Sequence, residues 1–191
     1  MFVALRPPDE AVEHLDEFLA VRREAASFRW TPAEQVHLTL AFLAEVPDRR
    51  LDDLVERLTR AARRRTPVTT RIAGGGAFPH ASGARVLWAG LRLDGSDRTE
   101  LDRMATGARA AAGKAGIALE GQRFRPHLTV ARLGRPAEVS SWVRLLDAYE
   151  GPEWTTTAYS LVASHLGEGP RNRPRHEVVE ELDVGESPGA R

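Results

Sequence analysis

Two short stretches of this sequence place a histidine and a threonine at the spacing that puts both on one face of a β-strand. The first reads His37-Leu38-Thr39-Leu40, and the second, 90 residues later, reads His127-Leu128-Thr129-Val130. Because side chains alternate along a strand, each histidine shares a face with its threonine, and the apolar residues share the other face. One face can then pack into a core while the other presents an imidazole and a hydroxyl.

The paired motifs indicate acid–base chemistry on a phosphate ester. Free imidazole has a pKa near ~6.5, so two histidines can take and give protons at neutral pH. Phosphodiester hydrolysis needs a base for the attacking water and an acid for the leaving oxygen. Threonine hydroxyls can donate to the non-bridging oxygens as charge builds there. We therefore predict that His37 and His127 are catalytic and that Thr39 and Thr129 bind phosphate. The two motifs look alike, so the residues alone do not say which histidine is the acid.

The sequence around both motifs resembles the RNA 2′,3′-cyclic phosphodiesterases, the bacterial and archaeal 2′–5′ RNA ligase group of the 2H phosphoesterase superfamily. The resemblance covers most of the chain and rests on residues 29–43 and 124–132, with shorter matches at 2–8, 77–79, 86–90 and 161–166. It implies metal-independent hydrolysis of RNA 2′,3′-cyclic phosphate ends to 2′-phosphomonoesters. It also implies reversible 2′–5′ RNA ligation as an accompanying activity.

The same resemblance assigns roles to individual residues. His37 would be the proton donor to the leaving 3′ oxygen, and His127 would be the proton acceptor that activates water. Arg132, which follows the second motif, would be a further phosphate-binding residue. Arg125 and Phe124 are candidates for the cleft lining, and Phe124 could stack on a base. The chain departs from the family pattern after Gly169-Pro170, where residues 171–176 stand in place of an expected aromatic residue at the start of the last strand.

The remaining sequence predicts an α+β fold that positions the two motifs. Apolar periodicity predicts helices over 9–24, 48–64, 97–115 and 136–149, and strands over 2–6, 36–43, 67–73, 85–93, 122–132, 154–166 and 175–182. The glycine run 74–76 predicts a bulge or bend beside the cleft. The halves 1–75 and 84–165 share one order of elements. We therefore expect a single two-lobed domain over 1–191, with two mostly antiparallel sheets related by a pseudo-two-fold axis, helices outside and a central cleft. Residues 185–191 are expected to form a flexible tail.

Composition limits the other function classes. The 27 basic and 27 acidic residues give a net charge of +0, which argues against bulk attraction to nucleic acid but leaves room for a local basic cleft. There are no cysteines, so thiolate sites and disulfides are excluded. The histidines outside the motifs show no metal-ligand spacing, so we expect neither metal nor cofactor. With no apolar run of membrane-spanning length, we expect a cytoplasmic monomer without a membrane partner.

The sequence leaves several functions open. The substrate could be an RNA end, a small cyclic nucleotide or an ADP-ribose cyclic phosphate. A module that binds a nucleotide or an RNA end without turnover is a different class, and it has no need of two opposed proton-transfer groups. A metallohydrolase would be inactivated by a chelator.

Overall fold

The computed structural model describes residues 1–120 and 124–185, apart from the Arg171 side chain, and contains ten strands and four α-helices in those ranges. In chain order they are β1 (Phe2–Leu5), α1 (Asp9–Arg23), β2 (Arg29–Trp30), β3 (Leu38–Leu43), α2 (Asp48–Ala62), β4 (Val68–Phe78), β5 (Ala84–Arg92), α3 (Gly95–Lys114), β6 (Leu119–Glu120), β7 (Leu128–Ala137), α4 (Ser140–Asp147), β8 (Glu150–Thr156), β9 (Ala158–Gly169) and β10 (Arg173–Asp183). Short 3-10 turns occupy Ala33–Gln35, Ala81–Gly83 and Pro170–Asn172.

The main strands follow the order β10-β9-β1-β3-β7-β5-β4-β8, and each neighbouring pair is antiparallel. The short strands are exchanged between the two sides, because β2 pairs with β7 and β6 pairs with β3. The order is therefore symmetric about the boundary between β3 and β7, with four main strands on each side. This confirms the α+β, mostly antiparallel class.

The two expected sheets are joined into one. At the centre β3 and β7 share a single residue pair, Leu38 with Leu128, and both side chains are fully buried. The lobes are also not the contiguous halves that the sequence order suggested. Strand β4 follows α2 in the first half, but it pairs with β5 and β8 of the second half. The shared order of elements in residues 1–75 and 84–165 also predicts that the two halves arose by internal duplication, and this stays a prediction.

Helix faces follow the predicted periodicity. In α2, Leu54, Leu58 and Ala62 recur every fourth residue and are completely buried. Helix α3 buries an apolar face that includes Leu101, Met104, Ala105, Ala108 and Ala112. It ends before Gly116, whose φ of 73° is the left-handed conformation that glycine adopts without strain. No helix in the described ranges has the length and hydropathy that crossing a membrane requires.

Several element boundaries differ from the predictions. Helix α4 begins at Ser140 and not at 136, because β7 continues to Ala137. The strand predicted over 154–166 is two strands, β8 and β9, which lie near opposite ends of the strand order. Strand β4 runs through the glycines to Phe78, with the expected bulge between Ile72 and Gly75. Both motif strands begin later than predicted, β3 at Leu38 and not at 36, and β7 at Leu128, since residues 124–127 are not in a strand. The predicted strand residues 122–123 and the predicted tail residues 186–191 lie outside the described residues.

Candidate active site

The two motifs meet at the central pair of strands. Because β3 and β7 are antiparallel at the Leu38–Leu128 pair, the residues on either side of it alternate to the opposite face of the sheet. This face carries the histidine and the threonine of both motifs, which line one cleft of about 440 Å³. They are His37, Thr39, His127 and Thr129. Antiparallel order places each histidine on the same side of the pair as the threonine of the other motif.

Both histidines are oriented by the same backbone contact. The Nδ1 atom of His37 lies 2.7 Å from the carbonyl oxygen of Gln35, and the Nδ1 atom of His127 lies 2.7 Å from that of Arg125. A carbonyl oxygen only accepts hydrogen bonds, so each Nδ1 carries the proton and donates it. Nε2 is then the nitrogen that each neutral ring has available for proton transfer. The chain thus prepares two equivalent bases, each of which becomes an acid once Nε2 is protonated.

The surroundings of His37 strongly disfavour its charged form. Its ring stacks on Phe2, with ring centroids 4.6 Å apart, and meets the edge of His176 at 5.4 Å. Burial lowers the pKa of His37 to about 4, and the positive charges of His176, Arg132 and His127 add to this shift. The bond to the Gln35 carbonyl opposes it.

His127 lies in a similar but less enclosed setting. Phe78 contacts it edge-on at a centroid distance of 4.9 Å, and Trp88 does so at 6.2 Å. Burial lowers the pKa of His127, and Arg132 lowers it further. The bond to the Arg125 carbonyl raises it. Both imidazoles are therefore more acidic than free histidine.

Arg132 reaches the cleft because the strand carries a bulge. In a regular strand Arg132 and Thr129 would face opposite sides, since they are three residues apart. The pairing of β5 with β7 steps from Ala131 to Thr129 and leaves Val130 as an extra residue. The same step occurs in β3, where Leu40 is the extra residue, so Phe42 also turns to the cleft. The two motifs are thus followed by equivalent bulges and by chemically different residues.

The other two candidates do not line the cleft. Arg125 contributes its backbone carbonyl to His127, and its side chain is absent from the described lining. Phe124 packs against the hydrophobic core. Phe42, in contrast, keeps 47% of its surface exposed and is the aromatic side chain that the cleft offers on the β3 side.

Sequence reasoning missed the contribution of two distant segments. His176 and Arg173 of β10 line the cleft, and so does Arg29 of β2. The segment beginning at Arg173 is held there by Gln35, whose side-chain amide donates to the Pro174 carbonyl at 3.0 Å. The only signal in the sequence was the departure from the family pattern at 171–176. Within the described ranges no three histidine, aspartate or glutamate side chains form a group that could hold a metal ion.

The fold and this pair of histidine–threonine strands define the chain as a two-histidine phosphoesterase. It belongs to the family described as LigT like phosphoesterase, whose model matches residues 5–88 and 93–171.

Named relatives and solved structures agree with this assignment. The RNA 2′,3′-cyclic phosphodiesterase of Archaeoglobus fulgidus is 32% identical over 97% of this chain and 99% of its own length. The protein of that name from Thermus thermophilus is 32% identical over 87% of this chain and 82% of its own. The crystal structure of Thermus thermophilus TT0787 superimposes with a TM-score of 0.77 at 30% identity, covering 97% of this chain and 98% of that one. Escherichia coli LigT, solved with 3′-AMP, shares the fold at 24% identity, with a TM-score of 0.76 over 97% of each chain.

Proposed function

We propose that this chain hydrolyses the 2′,3′-cyclic phosphate ends of RNA to 2′-phosphomonoesters, without a metal ion. The observation that carries the proposal is the matched pair of histidines in one cleft, each with Nδ1 bonded to a backbone carbonyl and Nε2 available. The names of the relatives in Archaeoglobus fulgidus and Thermus thermophilus support the choice of substrate.

The reaction requires two proton transfers, one from the attacking water and one to the leaving 3′ oxygen. Nε2 of His127 takes a proton from water while the water oxygen forms a bond to phosphorus. The bond from phosphorus to the 3′ oxygen breaks, and Nε2 of His37 gives its proton to that oxygen. The product is a 2′-phosphomonoester with a free 3′ hydroxyl. A 5′ hydroxyl in place of water would give 2′–5′ ligation by the same steps.

Neutral and cationic donors stabilise the charge that develops on phosphorus. The hydroxyls of Thr39 and Thr129 donate to the non-bridging oxygens, and Arg132 adds a cationic donor. These donors are set in place before the substrate arrives, because backbone pairing fixes both strands. Phe42 offers an apolar surface beside the cleft for the ribose or base.

Product analysis on an RNA oligonucleotide ending in a 2′,3′-cyclic phosphate tests the proposal. The wild type in EDTA should release a 2′-phosphate end, and His37→Ala and His127→Ala should each lose about 10²–10⁴-fold in rate. His80→Ala is the matched control, because the His80 ring is exposed, hydrogen-bonds to Ser82 and is not part of the described cleft lining. Failure of the wild type on this RNA and on mononucleotide cyclic phosphates would refute the proposal. Turnover of the mononucleotides alone would move the substrate to a small cyclic nucleotide.

A further inference from the structure

Three arginines from three different strands meet on the β7 side of the cleft. Arg29 of β2 lies directly opposite Arg132 of β7 in an antiparallel pair, so their side chains share a face. Arg173 of β10 donates from Nη1 to the carbonyl oxygen of Trp30 at 3.1 Å, which places its guanidinium beside the residue that follows Arg29. All three side chains line the cleft. The pKa of Arg132 is lowered by burial and by the charge of Arg29, as expected for close cations.

These three arginines make no ion pair with any described residue, although several arginines elsewhere do. Elsewhere on the surface Arg71 and Arg92 both contact Glu150, at 2.9 and 2.8 Å. Arg175, two residues after Arg173, contacts Glu168 and Glu177. In the described parts of the chain no carboxylate lies within ion-pair distance of Arg29, Arg132 or Arg173.

One phosphate does not account for all three side chains. The cyclic phosphate lies between the two histidines, where the two threonines and Arg132 supply its donors. Arg29 is held opposite Arg132 by β-pairing, and Arg173 is held beside Trp30 by its carbonyl oxygen. The remaining N–H groups of these two guanidinium forks suit a second phosphate. Glu120 of β6 also lines the cleft but makes no ion pair with either arginine, and Arg29 is exposed and Arg173 half-buried, so both guanidinium groups can accept an anion.

We propose that Arg29 and Arg173 bind a second phosphate of the substrate, the one on the 5′ side of its terminal nucleotide. This inference rests on the proposed function, because it takes the cyclic phosphate to lie between His37 and His127. The second phosphate can be the phosphodiester that links the terminal nucleotide to the rest of an RNA or the 5′-phosphate of a free nucleotide. The preferred substrate thus carries one phosphate on each side of its terminal nucleoside. Binding the second phosphate requires only a local pair of arginines, so it is compatible with a net charge of zero.

The kinetic test compares three substrates that share one 2′,3′-cyclic phosphate. They are a nucleoside with a free 5′ hydroxyl, the same nucleoside with a 5′-phosphate, and a dinucleotide ending in the cyclic phosphate. The wild type should prefer each phosphate-bearing substrate over the first by roughly 10- to 100-fold in kcat/KM, the value of hydrogen bonds to a charged group. A gain with the dinucleotide alone assigns the site to RNA, and an equal gain with both assigns it to any 5′-phosphate.

Variants then attribute the preference to the two arginines. Arg29→Gln and Arg173→Gln should each reduce the ratio of kcat/KM between the phosphate-bearing and the 5′-hydroxyl substrates. Arg92→Gln removes an arginine outside the cleft and should leave that ratio unchanged. An unchanged ratio in both cleft variants would overturn the inference while leaving the cyclic phosphodiesterase proposal intact.

A binding measurement keeps the inference testable without turnover. Calorimetry on the wild type should find that a nucleoside 2′,5′-bisphosphate binds more tightly than the nucleoside 2′-monophosphate, by the same roughly 10- to 100-fold. That difference should shrink in Arg29→Gln and Arg173→Gln and persist in Arg92→Gln. Equal binding of the two nucleotides to the wild type would refute the second phosphate site, whatever the outcome of the hydrolysis assays.

Discussion

A change of leaving group separates the roles proposed for the two histidines. With an RNA cyclic phosphate the leaving 3′ oxygen is a poor leaving group until it is protonated, so His37→Gln should lose about 10²–10⁴-fold in kcat. With bis(p-nitrophenyl) phosphate the leaving nitrophenolate is stable without a proton, and the loss in His37→Gln should shrink to within about tenfold. His127→Gln should lose rate on both substrates, because water still needs a base.

The structure gives a reason to test the roles in this way. With a pKa of about 4, His37 is in its charged imidazolium form in only about one in 10³ substrate-free molecules at pH 7. A single proton shared by the pair therefore lies mostly on His127, although the proposed reaction uses it on His37. The negative charge of the bound phosphate raises both pKa values and favours transfer to His37. A pH profile reports only the macroscopic pKa values of the pair and cannot assign the roles.

The pH profile nevertheless has an expected shape. The reactive form holds one proton, so kcat/KM should rise as the pH passes about 4 and fall beyond the second pKa. Both pKa values are lowered, so the optimum should lie on the acid side of 6.5. The kcat profile should be shifted to higher pH, because the bound phosphate favours the imidazolium.

The decisive readout is the ratio of the two losses in stopped, discontinuous assays of product. Rescue of His127→Gln by the nitrophenyl ester, without rescue of His37→Gln, would reverse the proposed roles. Equal losses on both substrates in both variants would refute separate acid and base functions. His80→Gln controls for the removal of a histidine outside the cleft.

Three further measurements follow from the same contacts. His176→Phe keeps a ring against Phe2 but removes a positive charge that lowers the pKa of His37. The acid limb of the kcat/KM profile should therefore move to higher pH, and an unchanged acid limb would contradict this coupling. The free energy of unfolding should decrease as the pH falls from 6.5 to about 4, because His37 binds a proton in the unfolded protein over this range but not in the folded protein. Denaturant titrations should show that this free energy depends less steeply on pH in His37→Gln, and an equal dependence would count against the low pKa. Gly76→Ala would bring a methyl group to 2.1 Å from the Trp88 ring and should cost roughly 1–3 kcal/mol in thermal unfolding, whereas Gly113→Ala meets nothing within 4 Å and should not destabilise the protein.

The sequence was sufficient for the parts of the fold that depend on local periodicity. The buried faces of α2 and α3 and the alternation of the two motifs were read from spacing alone, and the structure confirms them. A bulge or bend beside the cleft was predicted at the glycine run 74–76, and the structure places a bulge between Ile72 and Gly75, although these residues are not in the described cleft lining. Predicted boundaries were wrong where a strand extends beyond its apolar pattern. In β7 the last residues are mostly exposed, and pairing with Ala84 extends the strand to Ala137.

Strand partners could not be predicted, because they depend on residues far apart in the sequence. Strand β4 begins in the first half of the sequence but pairs with strands of the second half, and β2 and β6 likewise pair with strands of the other half. No periodicity within a strand specifies its neighbour. The same long-range pairing brings Arg29 opposite Arg132, which no spacing in the sequence would suggest.

What the sequence by itself determined is the chemistry available: two histidines and two threonines, each pair on one face of a strand. What only the tertiary structure decided is how that chemistry is surrounded. The bulges at Leu40 and Val130 turn Phe42 and Arg132 into the cleft, because an extra residue in one strand reverses the alternation that follows. Strand β10 adds Arg173 and His176 from the far end of the chain. Burial among these groups then sets the pKa of His37, since desolvation and neighbouring charge exist only once the chain has folded.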